Sequence, residues 1–392
     1  MLISMSRSVG AIFLACSAVA APIAGAQQRS VAFAGFAYAG EFATREARFV
    51  NSTRYEADLR SAGATAYQRI SGLITANPPR QLHLVANIDA LKGADQVIVT
   101  ALVVTNETTS VEQFGAFVKV LALVRAQALF FDFKSQTVLR AYPLSFAYID
   151  TLDHVPDADE VYERYRKVFE GAGDKPGLFA RYAATLASAQ LPVQVPRFIQ
   201  VTQVTISPEV LARIPDSFKA SSTSAQSWLA DLISEAISSR TGVPVLPFAP
   251  SYSVNNVMAV AVSDGDVYNL TLPHPDYAFV AALTRLKKVK YGESPAGASF
   301  IYGAYGTVTL TQPMSGREYL NTGLKNGEVK LVPAMQTYVD DFPAYFDAVN
   351  AMFAKLADAM DGKGDAWIKS AATAPDIERQ IAQAKELILS CK

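Results

Sequence analysis

The sequence predicts an α/β (α+β) protein, with two mixed-sheet α/β domains joined by helices and closed by C-terminal amphipathic helices. Three observations predict this. Near-continuous apolar runs such as 97–104 and 117–133 have the composition of strands buried on both faces. Between such runs, apolar residues recur three and four apart, the spacing of one helix face. The chain has 392 residues, of which 50% are hydrophobic and 18% charged, enough apolar material to fill more than one core. That balance excludes a disordered chain, which combines low hydrophobicity with high net charge.

The elements follow in order. The short apolar, aromatic run 31–38, with Gly35 inside it and Gly40 beyond it, reads as a first strand. Leu59, Ala62, Ala66, Ile70, Leu73 and Ile74 predict one helix over 55–74, stopped by Asn77-Pro78-Pro79. Strands are expected at 82–85, 96–105 and 117–133, with Lys134-Ser135-Gln136 turning the last into a returning strand at 137–142. The period then becomes helical over 157–189, in two stripes separated by the glycines at 171–177. A strand at 198–206 and a helix at 228–237 follow, then strands at 243–248, 257–262, 267–272, 300–305 and 307–311, with a helix over 277–286. At the end, Phe342, Tyr345, Phe346, Val349, Met352, Phe353, Leu356 and Met360 mark an amphipathic helix. A glycine break at 361–365 separates it from a last helix over 375–389.

The resulting division is a signal peptide at 1–26, a first α/β domain at 27–150, a helical connector at 151–196, a second α/β domain at 197–335 and C-terminal helices at 336–392. A faint repeat pairs 93–105 with 297–309, where Gly93/Gly297, Ala94/Ala298, Val104/Val308 and Thr105/Thr309 coincide.

Arg7, the apolar stretch 11–21 and Ala24-Gly25-Ala26 have the order of a secretory signal, and the stretch is too short to span a bilayer. Cleavage after Ala26 is expected. It removes Cys16 and leaves Cys391 as the single cysteine, so no internal disulfide can form. A lipid on Cys16 is disfavoured by bulky Leu14 two places before it. The mature protein is expected in the periplasm or secreted, with at most peripheral membrane contact. Lys+Arg 35 against Asp+Glu 36 offers no basic excess for nucleic acid.

Motifs for catalysis are sparse. The three histidines, His83, His154 and His274, lie far apart, and neither a phosphate-binding loop nor a zinc motif is present. Ser294 in Gly292-Glu-Ser-Pro-Ala-Gly297 leads into a strand rather than a helix, which is the wrong setting for a nucleophile elbow. Asp150, Asp153, His154, Asp157, Asp159 and Glu160 crowd together, but Asp157 and Glu160 have the spacing of a helix capping pair rather than a calcium loop. Gly171-Ala-Gly173 with Gly177 follows a helix and reads as a linker, not a dinucleotide turn. Tyr302 and Tyr305, framed by Gly303 and Gly306, are candidates for an interaction surface. No catalytic, cofactor-binding or metal-ligating residue is assigned, and no cofactor is expected.

Two stretches carry a family likeness. Ala90-Leu-Lys-Gly-Ala-Asp95 enters the apolar run 96–102, and 128–140 reads as strand, turn and returning strand. This order resembles the periplasmic α/β domains of the curli-secretion lipoprotein family and the amino-terminal domain of the Tol-Pal translocation protein family. The likeness covers 31–145 and, more weakly, 197–312. The lipid-bearing cysteine of the first family and the propeller repeat of the second are missing, so a pore function does not carry over. What the resemblance implies is an envelope-associated, non-catalytic domain. The expected function is therefore an exported cell-envelope protein with an interaction or assembly role, binding a protein partner or itself. The alternative is an exported hydrolase with distant residues brought together, for instance His274 with a serine and an aspartate.

Overall fold

The computed structural model describes residues 28–40, 42–86, 88–91, 93–114, 116–191, 196–219, 223–249, 257–262, 267–335 and 339–392. The expected signal peptide, with Arg7 and Cys16, lies outside the described residues.

A long antiparallel meander forms the centre of the first unit. Strand β1 (Arg29–Ala39) is followed by helices α1 (Val50–Ser61) and α2 (Ala66–Ala76) and by the short β2 (Leu82–Val85). The meander is β3 (Ile98–Phe114), β4 (Phe117–Asp132) and β5 (Thr137–Leu152). β1 runs parallel to both β2 and β3. Helices α3 (Ala158–Glu170) and α4 (Leu178–Ser188) join α1 and α2 on one face, where Tyr55 stacks on Phe169 at 4.7 Å. The single helix expected over 55–74 is two helices. Gly63 turns the chain at φ +73, and the Thr65 side chain restarts it by accepting from Gln68 N. A side-chain acceptor at a helix start satisfies one of the unpaired N–H groups there.

The second unit repeats the scheme. It consists of β6 (Ile199–Ile206), α5 (Ser224–Thr241), β7 (Val245–Leu246), then a hairpin β8 (Val257–Val262) and β9 (Val267–Thr271). The second meander is β10 (Tyr277–Ser294), β11 (Gly297–Gln312) and β12 (Arg317–Pro333), ending in α6 (Phe342–Met360), α7 (Asp365–Ala371) and α8 (Ile377–Leu389). Three expectations are corrected here, and one further strand was not expected. Residues 277–286 are strand, not helix: their apolar run fits both periods, and pairing to β6 on one side and β11 on the other decides it. The strands expected at 300–305 and 307–311 are one, because Gly306 continues the ladder. A Cβ there would lie 2.5 Å from the Ala282 carbonyl oxygen, so glycine is what lets the strands close up. Only 245–246 of 243–248 is strand. Strand β12 was hidden by its Lys, Glu, Asn and Gly content, although Leu320, Thr322, Leu324 and Asn326 alternate inward.

The two meanders share three bulge positions, although β10 carries a further one at Tyr291 that β3 lacks. The strand orders are β2-β1-β3-β4-β5 and β7-β6-β10-β11-β12. Pairing skips a residue at Ala34 in β1 and at Thr202 in β6. It skips Thr105 in β3 and Thr284 in β10, and each threonine donates its hydroxyl across the bulge, to the carbonyls of Arg125 (3.2 Å) and Tyr305 (3.1 Å). It skips Leu139 in β5 and Tyr319 in β12. Both final turns place a residue at positive φ, Gln136 at 50° and Gly316 at 67°. Ser135 Oγ donates to Asp132 in one turn and Ser315 Oγ to Gln312 in the other. The repeat therefore equates Thr105 with Thr284 and Ser135 with Ser315. The pairing of 93–105 with 297–309 matched the wrong strands, since 297–309 lies in the counterpart of β4.

The hairpin crosses between units. Residues 257–272 were expected in the second sheet, yet β8 lies antiparallel on β1 and β9 meets β5 at Thr271 and Thr137. The first sheet thereby closes into a ring around Val99, Val103, Leu129, Phe131, Val260 and Leu270. Helix α5 lies between the sheets and is buried nearly all round, including Ser234 and Ser238. Leu121 and Leu123 of β4 join the core that α5 and α6 form with the second sheet. The apolar stripe of α6 packs in that core, as its spacing predicts, with Tyr345, Val349, Met352 and Phe353 all buried.

Candidate functional site

The equivalence of the two units exposes a difference between them. In the first, the sheet face carrying Ala101, Val103, Leu129 and Phe131 is roofed by the hairpin. In the second, the corresponding positions are Val280, Ala282, Thr309 and Thr311, none of them fully buried. The same face continues in cross-strand rows: Arg285–Tyr305–Lys325, Lys287–Gly303–Gly327 and Val289–Ile301–Val329. Tyr305 lies over its flat floor, since a Cβ on Gly303 would sit 3.1 Å from its ring. At the tip, Tyr291 (71% exposed), Val329 (60%) and Leu331 (58%) stand in solvent. A sheet normally hides one face, and apolar groups gathered in the open mark a contact surface. Three cations stand in the middle of this face, and β12 is its edge strand.

A second feature is a cleft of about 680 Å³ between the first sheet and helices α5 and α6. Strand β4 contributes Arg125 and Gln127, both at least nine-tenths buried. Helix α5 contributes Asp231 and Glu235, one turn apart and so on one face. Arg125 Nη1 lies 3.3 Å from Asp231 Oδ2, yet Arg125 Nε and Nη1 make no hydrogen bond among the described residues. Gln127 Oε1 and Trp228 Nε1 are likewise unpaired. Each such buried group costs about 1–3 kcal/mol of lost solvation. Glu235 accepts from Ser145 N at 3.2 Å and from Ser145 Oγ, while Arg181 donates to Ser145 O at 2.8 Å. Burial pushes both carboxyls above their ordinary range, against the pull of Arg125 on Asp231 and of the Ser145 hydroxyl on Glu235. Burial also lowers the Arg125 guanidinium.

The residues singled out from the sequence are scattered. Asp157 caps α3 and Glu160 completes the capping box, as expected. His154 bridges Asp153 (2.8 Å) and Glu160 (2.9 Å), and these bonds raise its pKa, while Arg164 engages Asp150 (2.9 Å). Among the described residues, no group of three or more His, Cys, Asp or Glu side chains is arranged to hold a metal ion. Ser294 Oγ is taken up in the turn between β10 and β11, accepting from Ala296 N and donating to Gly297 O. His274 is exposed on the connection between β9 and β10. Gly171 pairs with Pro176 in a small hairpin and Gly177 caps the helix after it, and a Cβ on either glycine would strike backbone. The two candidate tyrosines part company: Tyr305 faces outward, whereas Tyr302 points to the helices and donates to Asp341 at 2.6 Å. Cys391 is buried, and its thiol is pushed up to about 11 by that burial. Arg125, Asp231 and Glu235 were not singled out from the sequence. The one signal was Arg125 and Gln127, two apart inside an otherwise apolar strand.

No family model matches the chain, and no curated protein matches it. Among solved structures, a hemagglutinin homolog from Helicobacter pylori matches with 8% identity and a TM-score of 0.23, covering 50% of this chain and 97% of that one. A score that low carries no argument about fold or function.

Proposed function

We propose that this is an exported cell-envelope protein that acts by binding a protein partner, not by catalysis, and that the open face of the second sheet is where the partner docks. The observation that carries the reading is the contrast between two equivalent units, one roofed by a hairpin and one with no such roof among the described residues. The leader-like 1–26 and the resemblance to periplasmic α/β domains support the compartment. No described helix is long and apolar enough to cross a membrane. The face has an apolar tip beside Arg285, Lys287 and Lys325, so it suits a partner with an apolar patch flanked by carboxylates. Such complementarity steers encounter and fixes register more than it adds affinity.

The test is a photo-crosslinking amino acid at Val329 in the full chain, compared with one at Val155, which is also exposed but lies in the first unit. The reading expects a discrete adduct from 329 alone, in the exported fraction, lost in the Lys287→Glu/Lys325→Glu variant. A folded protein with no adduct from 329, or equal adducts from both positions, overturns it.

A further inference from the structure

The cleft between the units has a chemistry that the open face does not use. Its orphaned groups are mostly donors, Arg125 Nε and Nη1 with Trp228 Nε1, against the single acceptor Gln127 Oε1. Arg125 and Trp228 are more than nine-tenths buried, so bulk water does not satisfy them. The charges in the lining are also lopsided. Arg125, Lys175, Arg181 and Arg240 face only Asp231 and Glu235. Several of these are already engaged: Arg240 lies 3.6 Å from Asp358, Arg181 bonds Ser145 O, and Glu235 accepts from Ser145. The loose pair is Arg125 with Asp231, at ion-pair distance but without a hydrogen bond from Arg125 Nη1. Around them the wall is apolar and aromatic, with Leu123, Leu144, Leu232 and Phe346. The Trp228 and Phe346 rings are 6.2 Å apart.

We propose that this cleft binds a small organic anion, its carboxylate on Arg125 and its apolar or aromatic body along Trp228 and Phe346. A buried guanidinium fork matches a carboxylate better than any neutral acceptor. An inorganic anion would leave the apolar wall unused, and a neutral hydrocarbon would leave the donors unpaired. The volume is that of an ordinary small-molecule site.

The probes are 1-naphthaleneacetate and, as its cationic counterpart, 1-naphthylmethylammonium, titrated into the full-length protein by calorimetry with a parallel thermal melt. The anion is expected to bind at one site and raise the melting temperature, with at least tenfold preference over the cation. Asp231→Asn, which removes the competing carboxylate, is expected to tighten anion binding. Arg125→Met is expected to weaken it at least tenfold. Should Arg125→Met fail to fold by circular dichroism, Asn350→Trp at the exposed rim of α6 blocks the cleft instead and is expected to abolish binding. Equal binding of both probes, no binding of either, or a folded Arg125→Met variant with unchanged affinity overturns the proposal.

Discussion

At the scale of single residues, the two matched turns form a natural experiment. Gln136 holds positive φ where its counterpart is Gly316. Non-glycine residues pay roughly 1–2 kcal/mol for left-handed backbone, so Gln136→Gly is expected to stabilise by about 0.5–1 kcal/mol once glycine's extra unfolded-state freedom is subtracted. Gly316→Gln should lose a similar amount. Urea midpoints of both variants check the pair. Glu235 gives a pH-dependent prediction. Burial raises its native pKa above the unfolded value of about 4.3. The native state therefore holds more protons between the two values, and stability falls as pH rises through that window. Glu235→Gln is expected to be more stable than the parent near pH 7, with the advantage disappearing near about pH 4. A constant difference across that range would contradict the assigned cause. The turn at Lys134-Ser135-Gln136 was legible in the sequence, but the grouping of Arg125 with Asp231 and Glu235 was not, because they come from strand and helix far apart in the chain and meet only through packing.

At the scale of elements, side-chain bonds across bulges and a helix stripe can be weighed. Thr284→Val deletes the hydroxyl bond across the β10 bulge and is expected to cost about 1 kcal/mol. Phe353→Ala in the buried stripe of α6 is expected to cost about 3–5 kcal/mol. Denaturant melts measure both, and the larger loss must fall on Phe353. These elements also show what was readable. The α6 stripe was legible because eight apolar residues keep one period, and β4 because an apolar run that long has few other uses. The segment 277–286 was misread because its apolar residues fit both periods and only its partners decide. Strand β12 went unseen since a solvent-facing strand of Lys, Glu and Asn carries little apolar signal, although its inward row alternates.

At the scale of the whole molecule, the units share a plan but not independence. Residues 28–191, expressed alone, lack the hairpin that covers Val99, Val103, Leu129 and Phe131. They are expected to give a loosely packed or associating species, seen as 1-anilinonaphthalene-8-sulfonate fluorescence and early elution on size exclusion. A sharp cooperative melt from that fragment would refute the dependence. The two-unit plan was legible in outline from the order of strands and helices. The crossing of 257–271 was not, because nothing local says which sheet a hairpin will join.

That crossing also sets a clock. Thr271 donates its N–H to Gln136 O at 2.7 Å, closing a seam between residues synthesised far apart in time. The first sheet therefore stays open until the hairpin ending at Thr271, well into the second half of the chain, has emerged. Contacts between such distant segments form late, because the intervening loop must first surrender its freedom. Under the export proposed above, a chain threaded unfolded through a membrane channel would gain from that delay, since the first sheet would not lock before the segment that completes it had crossed.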